Sequence, residues 1–190
     1  MDNEFILEDR LAKIASVIQK YGEDNFCLSF SGGKDSTVLH YLLDLAIPNN
    51  SIPRVFVDTG IEYHAIIEFV KLLQCNDNRI DIIKPTHNIK KTLEVWGYPF
   101  KSKEHSAFVY QWYHGKMCNS ALCYLRGYKQ VSCPQILKYQ FKSQPPFLIS
   151  DKCCDKLKKE PFIKYQKDHN KPYKILGIKR EERGNRTRTK

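Results

Sequence analysis

The segment from Ser31 to Ser36 (SGGKDS) has the residue types of an anion-binding loop. Two adjacent glycines allow backbone conformations that other residues avoid, and they let the main chain approach a ligand closely. The N–H groups that open a following helix point toward an anion, while Lys34 adds a positive charge and two serines add hydroxyl donors. The pattern therefore predicts a cradle for phosphate or pyrophosphate. It is not a Walker A loop, which requires glycine at Leu28 and serine or threonine at Asp35.

Short apolar runs on either side of helical patterns must position this loop. Asn25 to Phe30 (NFCLSF) predicts a buried strand, and the apolar residues from Val38 to Ala46 recur at helical spacing. Arg54 to Val57, Ile80 to Lys84 and Lys174 to Ile178 predict further strands. The alternation of strands and helices predicts right-handed crossovers and a Rossmann-like α/β fold. We expect a parallel sheet of about five strands with helices on both faces, which binds ligands at the carboxyl ends of its strands.

The turn after the second predicted strand contains Asp58, Thr59 and Gly60. Asp58 suits a role in holding Mg²⁺ or orienting a water molecule, and Gly60 would let the backbone approach a base. The alternative is a turn that caps the next helix, because Asp and Thr are good caps.

Basic residues occupy two later turns. Lys101, Ser102 and Lys103 follow a Gly-Tyr-Pro turn and suit a phosphate or sulfate group, although a solvated loop is the alternative. Arg180 and Arg186 follow the last predicted strand. Since arginine binds phosphate with two parallel hydrogen bonds and keeps its charge, they could close the site over the anionic end of a ligand.

The net charge of +10 is concentrated in the second half of the chain. Residues 1–100 carry a net charge of −4, whereas residues 101–190 carry +14. This asymmetry points to an anionic partner, either a phosphorylated small molecule or a nucleic acid. A solvated lysine-rich surface is the alternative.

Composition and length exclude several classes of protein. Hydrophobic residues make up 42% of the 190 positions, enough for a core, and we expect a single domain over residues 1–190. No apolar run approaches the roughly 18–20 residues that span a bilayer, and the N-terminus MDNEFILEDR lacks the pattern of a signal peptide. The seven cysteines are odd in number and include no Cys-x-x-Cys, which disfavours a disulfide framework and a zinc ribbon. A cytoplasmic protein without membrane contact is expected.

Several motifs carry a family resemblance. The segment from Ser29 to Ser36 (SFSGGKDS) resembles the PP-loop of the adenine nucleotide α-hydrolase-like superfamily. Four further motifs are similar to those of the phosphoadenosine phosphosulfate (PAPS) reductase family and follow in the same order. They are VFVDTGIEY (residues 55–63), GYPFKSK (97–103), SDKCCDKLKKEP (150–161) and GIKREERGNR (177–186).

The resemblance implies a nucleotide site and two catalytic residues. Lys34 and Asp58 would be catalytic. The nucleotide would be bound by Ser29, Ser31, Gly32, Gly33, Lys34, Asp35, Ser36, Asp58, Thr59, Gly60, Lys101, Ser102, Lys103, Gly177, Arg180 and Arg186. The ligand would be ATP with Mg²⁺, or adenosine phosphosulfate or PAPS, and the protein would act at its phosphate or sulfophosphate end.

Three functions remain open at this stage. One is sulfonucleotide reduction, and the second is ATP pyrophosphatase-type adenylation in the sulfur modification of nucleic acids. The third is a nucleotide-binding module that contacts nucleic acid or a partner protein without turnover. The chain departs from the family in having Arg183 where the family has serine, and it shows neither the nucleophilic C-terminal cysteine nor the later Cys-x-x-Cys. We therefore expect that it lacks the family's C-terminal segment.

The adjacent Cys153 and Cys154 match a pair that often ligates a [4Fe–4S] cluster in the family. Such a cluster usually takes four thiolates, and Cys118, Cys123 and Cys133 could supply others only if the fold brings them close. Two ordinary cysteines or a redox pair are the alternatives. The aromatic run FVYQWY (residues 108–113) similarly suits either base stacking or a core.

Overall fold

The computed structural model describes residues 3–116, 118–127 and 132–178. The chain forms two compact units. The first, called the sheet unit, comprises Met1–Lys84 and Pro161–Lys190, and the second, called the middle unit, comprises Pro85–Glu160. A family domain can contain two compact units, so the assignment of residues 1–190 to a single domain stays a prediction.

The regular elements alternate in the order expected for an α/β protein. The strands are β1 (Phe26–Ser29), β2 (Arg54–Val57), β3 (Ile80–Ile83) and β4 (Tyr173–Ile175). The helices are α1 (Asn3–Tyr21), α2 (Lys34–Ala46), α3 (His64–Asn76), α4 (Ile89–Trp96), α5 (Lys103–Tyr113), α6 (Asn119–Arg126) and α7 (Glu160–Asp168). Short 3₁₀ helices cover Glu23–Asn25 and Gln135–Phe141.

The described residues of the sheet unit form a parallel sheet of four strands in the order β3-β2-β1-β4. In its register Leu28 pairs with Arg54 and Phe26 pairs with Tyr173. Strands β1, β2 and β3 lie within the apolar runs predicted from the sequence, whereas β4 begins one residue before the predicted run Lys174 to Ile178 and ends at Ile175. The α/β Rossmann-like prediction is confirmed, with four strands in the described residues where about five were expected.

Successive residues of the strands pack on opposite faces of the sheet, as the two-residue period of a strand requires. Phe26 and Leu28 belong to a core that also contains Ile18 of α1, Leu43 of α2 and Val70 of α3. The intervening residue Cys27 packs in a separate cluster on the opposite face. That cluster also includes Val55 of β2 and Phe162 and Tyr165 of α7. Helices therefore cover both faces, as predicted.

The middle unit has its own core. Phe108 and Val109 of α5 pack with Ala121 and Tyr124 of α6 and with Phe141. The aromatic run of α5 is therefore partly core, as one of the two sequence interpretations proposed, while Trp112 keeps 39% of its surface exposed. Base stacking by the exposed rings stays a prediction.

The sequence predicted two separate helices, Cys153 to Lys159 and Pro161 to Asp168, but the structure joins them in one helical run. A π-helical turn covers Asp155–Lys159, in which the Glu160 N–H donates to the Asp155 carbonyl. Pro161 has no N–H, and its ring collides with a carbonyl of the preceding turn in a regular α-helix. The wider π turn lets the helix continue through this proline. Of the helices that the structure describes, none has the length and apolar content that crossing a bilayer requires.

Candidate functional site

The predicted anion loop lies at the carboxyl edge of the parallel sheet. It follows β1, which has β2 on one side and β4 on the other. The strand order therefore places the loop between the segment after β2, which contains Asp58, and the segment after β4, which contains Gly177. This is the edge at which parallel α/β sheets bind ligands.

Gly32 adopts a conformation that only glycine takes without strain. Its φ of +68° lies in the left-handed region, and a Cβ there would lie 2.8 Å from Ile66 Cγ2 and 2.9 Å from Val70 Cγ2. Both contacts are far inside van der Waals distance, and Val70 is fully buried in α3. The first glycine of the loop is therefore required both by its backbone angle and by its packing against α3.

Neither the backbone angle nor the packing of Gly33 requires a glycine. Its φ is −84°, and a Cβ would meet Ser31 Oγ at an ordinary 3.4 Å. The loop is closed by hydroxyl groups, because the Ser31 N–H donates to Ser36 Oγ (3.2 Å) and Ser36 Oγ donates to the Gly33 carbonyl (2.9 Å). The two serine hydroxyl oxygens lie 3.0 Å apart. These bonds fix the shape of the backbone around the predicted phosphate position.

Helix α2 begins at Lys34, within the loop segment, with Gly33 as its N-cap. The Thr37 N–H donates to the Gly33 carbonyl over 3.0 Å, which is the first bond of the helical ladder. The amides of the first turn precede this bond and carry the positive end of the helix dipole, an arrangement suited to an anion. Lys34 is exposed at this end.

Gly177 closely approaches the same helix start from the segment after β4. A Cβ on Gly177 would lie 3.1 Å from the Asp35 carbonyl oxygen and 3.4 Å from the Ser36 nitrogen. Two predicted site segments that are far apart in the sequence, the loop and Gly177, thus come together in the sheet unit.

A groove of about 480 Å³ runs beside this junction. Its lining is largely apolar and comes from α2 and the chain after β4. The lining residues are Lys34, Asp35, Val38, Leu39, Leu42, Leu176, Gly177 and Ile178. Its size falls in the usual range for small-molecule sites.

The turn after β2 is held by its own side chains. Asp58 Oδ1 accepts the Gly60 N–H over 3.0 Å, and the buried Thr59 binds Glu62 through both its N–H (2.9 Å) and its hydroxyl (2.8 Å). Sequence reasoning missed Glu62, which the Thr-x-x-Glu spacing resembling a capping box could have revealed. Gly60 has a φ of +82° and open space around its Cβ position, so this turn presents bare backbone.

The predicted basic turn at residues 101–103 lies in the middle unit, where its three residues are exposed. Ser102 is the N-cap of α5, because its Oγ accepts the His105 N–H over 3.1 Å. Lys103 Nζ lies 3.8 Å from Asp155 Oδ1, and Lys159 Nζ lies 2.6 Å from the same oxygen. The structure thus brings Lys103 near the cysteine pair that immediately precedes Asp155.

Cys153 and Cys154 begin the long helix as half-buried free thiols. Burial raises the pKa of the Cys153 thiol, and a hydrogen bond from the Cys154 backbone opposes this only in part. In the part of the chain that the structure describes, neither cysteine belongs to a group of three or more possible metal ligands within 4.8 Å of one another. The thiolates of a [4Fe–4S] cluster each bind a different iron atom and lie farther apart than this, so the cluster at Cys153 and Cys154 stays a prediction. Two other predicted site residues, Arg180 and Arg186, lie outside the described residues.

A buried charge network lies at the opposite edge of the sheet, where β2 begins. Arg54 has no exposed surface and donates to His40 Nδ1 (3.1 Å), Asn50 Oδ1 (2.7 Å) and Asp44 Oδ1 (2.7 Å). Arg79 also binds Asp44, over 2.8 Å. Although burial alone would raise it, hydrogen bonds from Arg79 and Asn50 and the charge of Arg54 hold the pKa of Asp44 below its usual value.

This network is structural. His40, Asp44 and Asp77 come close enough to share a cation, but Arg54 and Arg79 already neutralise the two carboxylates. Sequence reasoning assigned no role to these residues, because local periodicity gives no signal for a buried arginine.

Comparison with known proteins agrees with the fold and the loop. The family described as the phosphoadenosine phosphosulfate reductase domain matches residues 25–130, which include β1, the loop and α5. An uncharacterized protein of Methanocaldococcus jannaschii is 33% identical over 141 aligned residues, which cover 65% of this chain and 31% of that protein. A glutamine-hydrolyzing GMP synthase of Thermosipho africanus is 47% identical over 55 residues, or 29% of this chain and 10% of the synthase.

The chain thus spans about a third of the first relative and a tenth of the second. The family match covers more than half of the 190 residues, and it begins one residue before the strand that leads into the glycine loop. Together with the parallel sheet and the loop at its carboxyl edge, this match shows that the chain belongs to the phosphoadenosine phosphosulfate reductase family, within the PP-loop superfamily of adenine nucleotide α-hydrolase-like proteins.

Proposed function

We propose that the protein binds an adenine nucleotide at the PP-loop of its sheet unit and acts at the phosphate or sulfophosphate end of that nucleotide. The observation that supports this most is the loop itself: Gly32, forced into the left-handed region against α3, turns the chain directly into the N-terminus of α2. A helix start at the carboxyl edge of a parallel sheet favours a bound phosphate.

Each part of the site has a distinct task in this proposal. The backbone N–H groups at the start of α2 and the Lys34 ammonium bind the phosphate oxygens and stabilise negative charge that develops there. The groove beside Gly177 receives the nucleoside, since its apolar lining suits a flat ring system. Gly60 lets the nucleotide lie against bare backbone.

Mg²⁺ is proposed as the partner of ATP. Asp58 is half-buried at the carboxyl edge, and among the described residues only its Oδ1 accepts a hydrogen bond, from the Gly60 N–H. A carboxylate and phosphate oxygens are the ligands that Mg²⁺ prefers, so Asp58 would hold the ion, which would neutralise charge on the leaving pyrophosphate.

Between the two enzymatic versions, one observation favours ATP pyrophosphatase-type adenylation. Sulfonucleotide reduction needs a thiolate to attack the sulfur atom, whereas burial raises the pKa of Cys27 to about 11 and also raises those of Cys133 and Cys153. Because the thiolate is the nucleophile, burial makes these three cysteines weaker nucleophiles than an exposed cysteine. In adenylation, an acceptor oxygen attacks the α-phosphate and pyrophosphate leaves, so no protein thiol is needed. Sulfonucleotide reduction remains the other version.

Calorimetric titration with ATP, adenosine phosphosulfate and PAPS in parallel tests the proposal. We expect one of the three to bind, and Gly33→Val to abolish that binding in a folded protein, because a branched side chain covers the loop amides. Lys34→Met should weaken binding by about 10-fold or more, the range for hydrogen bonds to charged groups. Lys13→Met removes an exposed charge of α1 and is the matched control.

The products of nucleotide turnover distinguish adenylation from sulfonucleotide reduction. Release of pyrophosphate and AMP from ATP supports adenylation, while release of sulfite with thioredoxin as reductant supports reduction. If none of the three nucleotides binds the wild-type chain, the proposal is wrong.

A further inference from the structure

Helix α5 ends beside a small cavity that lies within the middle unit. The cavity has a volume of about 150 Å³, and its walls come from the end of α5 and from residues 144–149. The lining residues are Val109, Tyr110, Tyr113, His114, Gln144, Pro145, Phe147, Leu148 and Ile149. Val109 and Ile149 are buried, whereas His114 and Phe147 are exposed. The cavity thus has an apolar inner end and a rim that carries aromatic rings.

Two rings at this rim are stacked on each other. The rings of Tyr110 and His114 are nearly parallel, at 16°, and their centroids lie 3.9 Å apart. His114 Nδ1 lies 2.7 Å from the Tyr110 carbonyl oxygen, which can only accept, so Nδ1 donates and fixes the orientation of the imidazole. Lys152 Nζ lies 5.8 Å from the centroid of the Tyr110 ring, within the range of a cation–π contact. Stacked rings with a cation beside them suit a flat ring that is carried on an anionic backbone.

The opposite wall of the cavity is held by backbone hydrogen bonds. The Tyr98 N–H donates to the Leu148 carbonyl over 2.8 Å, and the Ser150 N–H donates to the Tyr98 carbonyl over 3.1 Å. The rings of Tyr98 and Phe147 meet edge to face, with their centroids 5.6 Å apart. The wall is therefore formed before a ligand arrives, and binding does not include the free-energy cost of ordering it.

The volume of the cavity limits what it can hold. Sites for drug-sized molecules usually measure about 300–1,000 Å³, whereas a cavity of about 150 Å³ takes a single six-membered ring such as benzene. A pyrimidine base is one six-membered ring, while a purine has two fused rings. Gln144 adds an amide that can both donate to the edge of a base and accept from it. The size and the lining together favour a pyrimidine.

The charge of the middle unit suits a ligand with a phosphate backbone. Residues 85–160 contain 13 lysines and arginines against 5 aspartates and glutamates. The exposed Lys116 and Lys142 are each two residues from a lining residue, so their Cα atoms lie within about 8 Å of its Cα. Asp151 has the same spacing and is half-buried. With Lys152 over the Tyr110 ring, positive charge predominates beside the cavity.

We propose that this cavity binds a pyrimidine base of a single-stranded nucleic acid, while the neighbouring lysines bind the phosphates of the strand. Proteins recognise the free bases of single strands by stacking them on aromatic rings and by hydrogen bonds to their edges. A duplex keeps its bases stacked and leaves the cavity empty. The inference goes beyond the proposed function and does not depend on the PP-loop, because its residues all belong to the middle unit.

Fluorescence anisotropy with labelled oligonucleotides of about 12 residues tests this site, since single-strand sites span about 4–16 nucleotides. We expect oligo(dT) and oligo(U) to bind at least about 5-fold more tightly than oligo(dA) or a duplex of oligo(dT) with oligo(dA), the lower end of the range for stacking one base. Free dTMP should bind more weakly than oligo(dT), because it lacks the neighbouring phosphates. Equal affinity for oligo(dT) and oligo(dA), or for oligo(dT) and dTMP, would overturn the inference.

Two kinds of variant separate the binding of the base from the binding of the backbone. Phe147→Ala removes a ring of the rim, so it should weaken oligo(dT) binding by at least about 5-fold and abolish the preference over oligo(dA). Lys142→Met should weaken both oligonucleotides equally and make binding less sensitive to salt, because fewer phosphates are neutralised. Ile136→Ala is the matched control, since it shortens an apolar side chain that is 80% exposed and does not line the cavity. Unchanged oligo(dT) affinity in Phe147→Ala, the result expected if the cavity holds a peptide, would refute the proposal.

Two further measurements leave the aromatic rim intact. Oligo(dT) should shift the NMR signals of the His114 imidazole in the wild-type chain, because a base enters beside that ring. Gln144→Leu keeps every ring but removes the amide, and we expect oligo(dT) affinity to fall by about 2-fold to 10-fold, the range for a neutral hydrogen bond. A His114 signal that saturating oligo(dT) does not move would count against this site.

Discussion

Replacing Gly32 with alanine tests the central claim about the loop. The new Cβ would lie 2.8 Å from Ile66 Cγ2 and 2.9 Å from Val70 Cγ2, in a residue whose φ is +68°. A left-handed non-glycine residue costs about 1–2 kcal/mol, and overpacking a core contact costs about 1–3 kcal/mol. We therefore expect the free energy of unfolding to fall by about 2–5 kcal/mol, a large part of the roughly 5–15 kcal/mol available to a domain.

Substitutions at two other glycines separate the cost of the left-handed backbone from the cost of overpacking. Gly60 has a φ of +82° but open space at its Cβ position, so Gly60→Ala should show the backbone cost alone. Gly33 has ordinary φ and ordinary contacts, so Gly33→Ala should change stability by less than about 1 kcal/mol, as a poorer N-cap is offset by a stiffer unfolded chain.

Urea-dependent hydrogen exchange of peptides covering β1 measures the effect, because it reports on the sheet unit by itself. The expected order of stability loss is Gly32→Ala, then Gly60→Ala, then Gly33→Ala. A Gly32→Ala protein as stable as Gly60→Ala would refute the argument, since it would mean that α3 does not press on the loop.

The remaining predictions concern charged residues. Arg54→Met should cost about 1–3 kcal/mol of stability in urea denaturation, because it leaves the buried acceptors of His40 and Asn50 without their donor while Arg79 still binds Asp44; an unchanged midpoint would contradict this. Burial and Arg54 lower the pKa of His40, so stability should begin to fall as the pH drops below about 6.5, and His40→Gln should reduce this loss in thermal melts. The Arg79 hydrogen bonds lower the pKa of Asp77, and the pKa of Asp44 is also low, so a second loss should appear only below about pH 4. Arg180→Ala should weaken nucleotide binding by about 1.5–3 kcal/mol in calorimetry, and unchanged affinity would remove it from the site.

Local patterns were sufficient to predict the sheet and the loop. Each strand is a short apolar run, and the glycine pair stands at a strand-to-helix junction, so neighbouring residues determine both features. The family resemblance assigned Gly177 to the nucleotide site, but its approach to α2 was not predicted, because contacts between distant segments leave no periodic signal.

The remaining features depend on partners that are far away in the sequence. The first residue of β2 is the fully buried Arg54, which is tolerated because Asp44 and Asn50 neutralise and satisfy it. His105 received no role from the sequence, yet it lies at the centre of the middle unit between Tyr124 and Gln140. The helix through Pro161 was divided in two because a proline usually ends a helix, and the π turn that accommodates it has no simple sequence pattern.

The sheet unit is discontinuous in the chain, and this determines when it can be completed during synthesis. Strand β1 pairs on one side with β2, which is made soon afterwards, but on its other side with β4, whose Tyr173 pairs with Phe26. The ribosome therefore synthesises the whole middle unit before it synthesises β4, the second neighbour of β1. Until then the edge of the central strand and the sheet face that α7 covers stay open to other chains, which makes the newly made protein most vulnerable to aggregation in the interval before residues 161–175 emerge.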